Sequence, residues 1–349
     1  MKKVVGLLAI CIFLVTSSMA FAGGYTGGPI KAKLASEEIE GDFMTVWANN
    51  FADHMREWSD GKIDIAVYPY GTLGATGDIN ELAQLGVVDF VFSDYAWISS
   101  FVPQAQVLTL NYLFPTEQVP QVLDWMVKNG EFMPLMEKAF NKNGLVPLSV
   151  MFEGWQWLSS KDEVKSLDDM SKLKVRLMSS KLLVETYKAY GTSPTPMSYG
   201  EVYSGLQMGL INAQVNPLFA IYSMKFYEVQ NYLTQLHSEP FIGIPTANQK
   251  FFNSLTKDAQ QEMLNFWRDA IIPAGEWITA RNASDKKKIQ QAKPDIKIYE
   301  LDNETVKQFK ARAETVYPKF VELGGDGAQQ ILDAFRKDVN NAKTALNIK

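Results

Sequence analysis

Residues 63–92 read IDIAVYPYGTLGATGDINELAQLGVVDFVF. The first six, Ile63 to Tyr68, alternate apolar and polar positions, the period of a half-buried strand. Tyr70-Gly71-Thr72-Leu73-Gly74 is a loop. Asp78 is placed to cap a helix that runs through Leu85 and stops at Gly86. Residues 87–92 form a short apolar run of the kind that parallel sheets bury on both faces. Strand, loop, helix and strand in succession make a βαβ unit, and a βαβ unit needs a parallel sheet covered by helices.

Upstream, residues 30–34 can open as a strand, followed by the polar turn Ser36 to Gly41. Phe43, Val46, Trp47, Phe51, Met55 and Trp58 recur at helical spacing, and Ser59-Asp60-Gly61 ends that helix. Downstream, a second series starts near Gly144. Strands are expected at 146–151, 173–177 and 209–215, an extended piece at 195–197, and helices at 182–190 and 199–206. From Asp258 the chain reads as mostly helical, with a break at Pro273 and one late strand at 297–301. Two α/β series without a Pro/Ser-rich linker imply two domains joined by several crossing segments, with a cleft between them. The expected division is 29–150 plus about 239–275 for one domain and 151–238 plus about 276–349 for the other.

The N-terminus has the layout of a cleaved secretory signal over residues 1–22. Lys2 and Lys3 precede an apolar run from Val4 to Val15, and Ala20-Phe21-Ala22 precedes Gly23. The only cysteine, Cys11, lies inside that run, with Ile10 where a lipid-anchored chain has a small residue. The exported chain therefore has no disulfide, thiolate metal site or cysteine nucleophile, and a periplasmic location follows. The net charge of −5 and the lack of a basic stripe argue against nucleic acid as a partner.

Enzyme signatures are absent. His54 and His237 are the only histidines, and neither has a companion at metal-ligand spacing. There is no G-x-S-x-G elbow, no phosphate-binding loop and no dinucleotide fingerprint. No cofactor or metal is expected. A hydrolase built on a pair of carboxylates carries no local signature and stays open as an alternative.

Five stretches carry a resemblance: 63–74 (IDIAVYPYGTLG), 82–90 (LAQLGVVDF), 173–180 (LKVRLMSS), 195–218 (TPMSYGEVYSGLQMGLINAQVNPL) and 225–234 (KFYEVQNYLT). In this order and spacing the chain resembles the substrate-binding proteins of tripartite ATP-independent periplasmic (TRAP) transporters, of the dicarboxylate-binding type. The resemblance implies two α/β domains closing on a ligand, a long helix spanning both, and a membrane permease pair as partner. A sensory protein that uses the same fold remains a second possibility.

The resemblance also assigns site residues. Arg176 matches the arginine that holds the ligand carboxylate, and a guanidinium suits that task because its planar fork stays charged when buried. The alternative for Arg176 is an ion pair with Asp168 or Asp169. Asn216 matches an asparagine that can donate to the same carboxylate, or it only forms the turn before Pro217. Tyr199 matches a pocket-wall aromatic, with core packing as its alternative, and Phe219 is a weaker candidate. At 152–161 (FEGWQWLSSK) many members carry a second arginine where this chain has Gln156. A neutral amide there disfavours a dicarboxylate such as succinate or malate. Trp155 and Trp157 flank Gln156, and strand alternation puts them on the opposite face; Trp155 is kept as a candidate contact, with core packing as its alternative. Asp94 and Glu37 are placed near the cleft, where carboxylates suit an ammonium group or hydroxyls; their alternatives are a helix cap and a solvated side chain. Tyr95 and Trp97 add aromatic surface. The expected ligand is a small carboxylate bearing an amine or aromatic group, with a sugar acid or dicarboxylate as the alternative.

Overall fold

The computed structural model describes residues 24–348, so the segment read as a secretory signal lies outside the described residues. Ten strands form one mixed sheet: β1 (Ile30–Ser36), β2 (Ile63–Tyr68), β3 (Phe90–Asp94), β4 (Leu145–Pro147), β5 (Met151–Ser160), β6 (Lys174–Leu177), β7 (Ser193–Pro196), β8 (Ala213–Asn216), β9 (Tyr232–Asn248) and β10 (Lys297–Glu300). Their order is β2-β1-β3-β9-β5-β8-β6-β7, with β4 and β10 also paired to β9. β1, β2 and β3 are mutually parallel, as the βαβ reading requires. β6 is likewise parallel to β7 and β8. The two parallel groups are joined through the antiparallel strands β5 and β9, which run side by side through the middle of the molecule.

The long strand β9 was not visible in the sequence pattern. It is buried on both faces, so Tyr232 to Asn248 shows no alternation. Other boundaries moved for local reasons. The helix Thr76–Leu85 starts before Asp78, whose Oδ2 reaches back to accept the Ala75 N–H at 2.8 Å. The region 146–151 is two strands separated by Leu148–Val150. The helical break lies at Ala270, between the helices Lys257–Asp269 and Ile271–Ala292. Pro273 instead sits in the first turn of the second helix, where its missing N–H leaves no bond unmade. The helix Phe43–Trp58 agrees with its apolar spacing at both ends, and Phe43, Phe51 and Met55 are fully buried.

The helix Ile271–Ala292 packs along β5 and reaches the elements on both sides of it. Asn282 fastens the two together. Its Nδ2 donates to Glu153 O at 3.1 Å, and its Oδ1 accepts the Phe219 N–H at 2.9 Å. Gly154 makes this approach possible: its φ is +115°, and a Cβ there would stand 2.4 Å from Asn282 Nδ2. Gly154→Ala is therefore expected to destabilise the fold by about 2–4 kcal/mol, the combined cost of a disfavoured backbone and an overpacked contact. Denaturant titration checks this, and an unchanged midpoint would show that the contact relaxes freely.

Candidate functional site

Where β3 ends, the chain turns into the short helix Tyr95–Ile98, and Asp94 caps it. Asp94 Oδ1 accepts the N–H groups of Ala96 at 2.6 Å and Trp97 at 2.8 Å. Its Oδ2 has no protein partner. Glu37, just past β1, accepts the Ser93 hydroxyl at 2.9 Å and the Asp94 N–H at 2.7 Å, both at Oε2. Both carboxyl groups are buried, so the solvated alternative for Glu37 does not hold; the capping alternative for Asp94 does, yet leaves one oxygen free.

Arg176 comes from the opposite half, on β6. It is 1 % exposed and the only Lys or Arg buried among the described residues. Its Nε donates to Met197 O at 2.9 Å, while Nη2 is unpartnered. Asp169 bonds instead to Ser166 and the Lys165 N–H, and the anions that act on Arg176 include Asp94 and Glu37 from across the cleft. Arg176 and the two carboxyl groups are therefore close enough for their charges to act on one another. Tyr199 lies beside them, edge-on to Tyr70 and Phe226, with its hydroxyl unpartnered. Its ring packs as the core alternative requires, and its hydroxyl is left over.

The remaining candidates separate. Asn216 donates one of its two Nδ2 hydrogens to Gln214 Oε1, and the other is not used by that bond. Gln156 is buried with both amide atoms unpartnered and lies beside the Tyr95 hydroxyl. Tyr95 is fully buried. Trp97 is partly exposed, with its indole nitrogen unpartnered. Phe219 is buried against the long helix. Trp155 is not brought to Arg176: it lines a separate cavity of about 400 Å³ with Trp157, Gln118, Gln235 and Asn282. The cause is strand alternation, which turns Trp155 and Trp157 away from the face that carries Gln156.

Sequence reasoning missed Glu38, Glu153 and Glu239. All three are buried, and Glu153 has both oxygens unpartnered. Their one sequence signal is a carboxylate set among apolar strand residues. Burial pushes Glu38 up to about 8 and Asp94 up to about 6, with the neighbouring acid Asp42 adding to the effect on Glu38. Burial also raises Glu37, Glu153 and Glu239 well above the usual carboxylate range. Burial lowers Arg176 to about 10, which leaves it charged at neutral pH. Among the described residues, no group of three His, Cys, Asp or Glu side chains converges to hold a metal ion.

Bonds from both halves enclose this interior. Tyr70 accepts the Gly200 N–H at 2.9 Å through its hydroxyl. Gln106 Oε1 accepts the Leu182 N–H at 2.8 Å, and Ser223 donates to Asp42 Oδ2 at 2.6 Å. Chemically, Arg176 can hold an anion, and the Asp94 and Glu37 carboxyl groups that act on it can hold a cation.

Comparison with known proteins gives concordant results. The family model described as bacterial extracellular solute-binding protein, family 7, matches residues 34–323. The ectoine-binding periplasmic protein TeaA of Halomonas elongata is 34% identical over 307 residues, 88% of this chain and 89% of that protein. The ectoine/5-hydroxyectoine-binding periplasmic protein UehA of Ruegeria pomeroyi is 33% identical over 330 residues, 93% of this chain and 95% of that protein. The high-resolution structure of the periplasmic ectoine-binding protein from the TeaABC TRAP transporter superimposes with a TM-score of 0.84, covering 89% of this chain and 100% of that one.

Proposed function

The chain belongs to family 7 of the bacterial extracellular solute-binding proteins, the binding components of TRAP transporters, and on that premise we propose that it captures a small zwitterion. The ligand joins a carboxylate to an ammonium or amidinium group, and the closed protein delivers it to a membrane permease after export to the periplasm. The observation that carries this reading is the charge arrangement. One buried guanidinium with a free Nη2 is set against several buried carboxyl groups, Asp94 and Glu37 among them, and Asp94 keeps a free Oδ2. A dicarboxylate would satisfy Arg176 and set its second charge against Asp94, which is mostly ionised at neutral pH. A zwitterion satisfies both poles. Ectoine, a ring amidinium carrying a carboxylate, belongs to this class, and so do amino acids; an aromatic acid without a cation does not use the acidic pole. Trp155, a candidate contact in the sequence, lines the cavity of about 400 Å³ described above.

Calorimetric titration of ectoine, amino acids, sugar acids and dicarboxylates tests the proposal, which fails if dicarboxylates alone bind. The pH dependence sharpens it. Burial raises the carboxyl pKa values of the unliganded protein, so these groups are partly protonated near neutrality. A bound cation favours their charged forms, so binding releases protons. Affinity for the zwitterion is expected to fall by up to about tenfold per pH unit, per linked proton, below the Asp94 pKa of about 6. The stability of the unliganded protein moves the other way. The folded state holds protons that the unfolded chain has released above about pH 4, so this contribution is full below that value and is lost as pH rises through about 6 for Asp94 and about 8 for Glu38.

A further inference from the structure

β9 does not run evenly beside β5. Trp155 pairs with Pro240, and Trp157 pairs with Gln235, so Gln156 alone stands opposite residues 236–239. His237 absorbs the extra backbone with φ +50°, a left-handed conformation disfavoured for a residue with a Cβ. The bulge is tied down on its outer side. Gln235 Oε1 accepts the His237 N–H at 2.9 Å, Ser238 O accepts the Tyr112 N–H at 2.6 Å, and Leu236 O accepts the Tyr112 hydroxyl at 3.1 Å. Bulges re-aim side chains and gather beside binding sites.

The side chain re-aimed here is Glu239, which is fully buried. Its Oε2 lies 3.4 Å from the Tyr95 hydroxyl, and its Oε1 has no protein partner. Gln156, facing the bulge, has neither amide atom bonded. Tyr187, from the helix Lys181–Ala189, brings a buried hydroxyl without a partner, within reach of the Glu239 charge. Buried polar atoms left unmatched are costly, and several beside one bulge mark a place where a ligand group completes them. Asp94 links this place to the arginine pole, since its charge acts on both Glu239 and Arg176.

We propose that Glu239, Gln156 and Tyr187 form a second polar pole of the ligand site that receives a hydroxyl group on the part of the ligand remote from its carboxylate. A hydroxyl donates once and accepts twice. It can therefore donate to Glu239 Oε1 and accept from the Tyr187 hydroxyl and the Gln156 amide. A bare methylene at that point leaves all three unmatched. Sites built around a substrate hydroxyl reject the analogue lacking it far more strongly than apolar pockets reject an extra one. The inference rests on the zwitterion-binding reading and refines it to hydroxylated zwitterions.

Two matched pairs test it by calorimetry: ectoine with 5-hydroxyectoine, and proline with 4-hydroxyproline. At least one hydroxylated member is expected to bind the parent protein tenfold or more tightly than its partner. In Glu239→Leu and in Tyr187→Phe that ratio should drop to within about twofold, through loss of the hydroxylated ligand's affinity alone. Denaturant unfolding of the unliganded variants shows whether each is folded, and Tyr187→Phe carries the test if Glu239→Leu is not. A parent that binds either pair without preference for the hydroxyl, or a ratio unchanged in the folded variants, overturns this pole while leaving the zwitterion reading intact. A parent that responds to neither pair overturns the pole as well, and if it binds dicarboxylates alone the zwitterion reading falls with it.

Discussion

Arg176→Ala is expected to weaken binding of every carboxylate ligand by about 30- to 1000-fold, or roughly 2–4 kcal/mol, measured by calorimetry on folded protein. The magnitude follows from the surroundings. Arg176 is 1 % exposed, its Nε is held by Met197 O, and Nη2 is free for a ligand oxygen. A charge-assisted bond in a dry site loses most of its worth when one partner is removed, because the other charge is left buried alone. Arg176→Met separates binding from folding. It keeps much of the volume and removes a desolvated charge, so the unliganded protein should be as stable as the parent while binding is lost. Arg176→Lys should also bind poorly, since an ammonium cannot reproduce the fork and is more readily neutralised by burial. Ligand affinity within twofold of the parent in Arg176→Ala would remove the carboxylate assignment.

Asp94→Asn is expected to cost cationic ligands about 10- to 100-fold and to leave simple monocarboxylates within about twofold. The substitution is nearly isosteric. The amide oxygen can still accept the Ala96 and Trp97 N–H groups that Asp94 Oδ1 accepts, so the cap survives. At the Oδ2 position, however, an N–H donor would now face the ligand's cation. The ratio between the two ligand classes is therefore the informative readout. Equal losses in both classes would mean that Asp94 acts through the local fold and not through the ligand's charge. Glu37→Gln should move the ratio in the same direction by less, because Glu37 Oε2 is already engaged by Ser93 and the Asp94 N–H.

Parts of this site were legible in the chain itself. The strand expected at 173–177 holds Arg176, which the family resemblance singled out, and the run expected at 87–92 extends in the structure to Asp94. The alternation rule correctly set Trp157 and Trp155 apart from Gln156, because side-chain direction along a strand is a local property. Asn216 shows the limit of such reasoning. Its position is as expected at the end of β8, yet its amide donates to Gln214, a choice made by packing and not by position. Glu153 and Glu239 gave little signal, because a carboxylate in an apolar strand can face either the interior or an edge.

The sequence by itself determined the local elements and the family: the helix Phe43–Trp58, the βαβ unit from β2 to β3, and the order of motifs from 63 to 234. These follow from apolar periodicity and turn residues, which act over a few positions along the chain. Only the tertiary structure decided that β9 is a single long strand, that it bulges opposite Gln156, and that Asp94 comes within reach of Glu37, Arg176 and Glu239. Those residues are brought together by sheet pairing between distant segments. Pairing is set by the burial of whole strand faces, which no short window of sequence records.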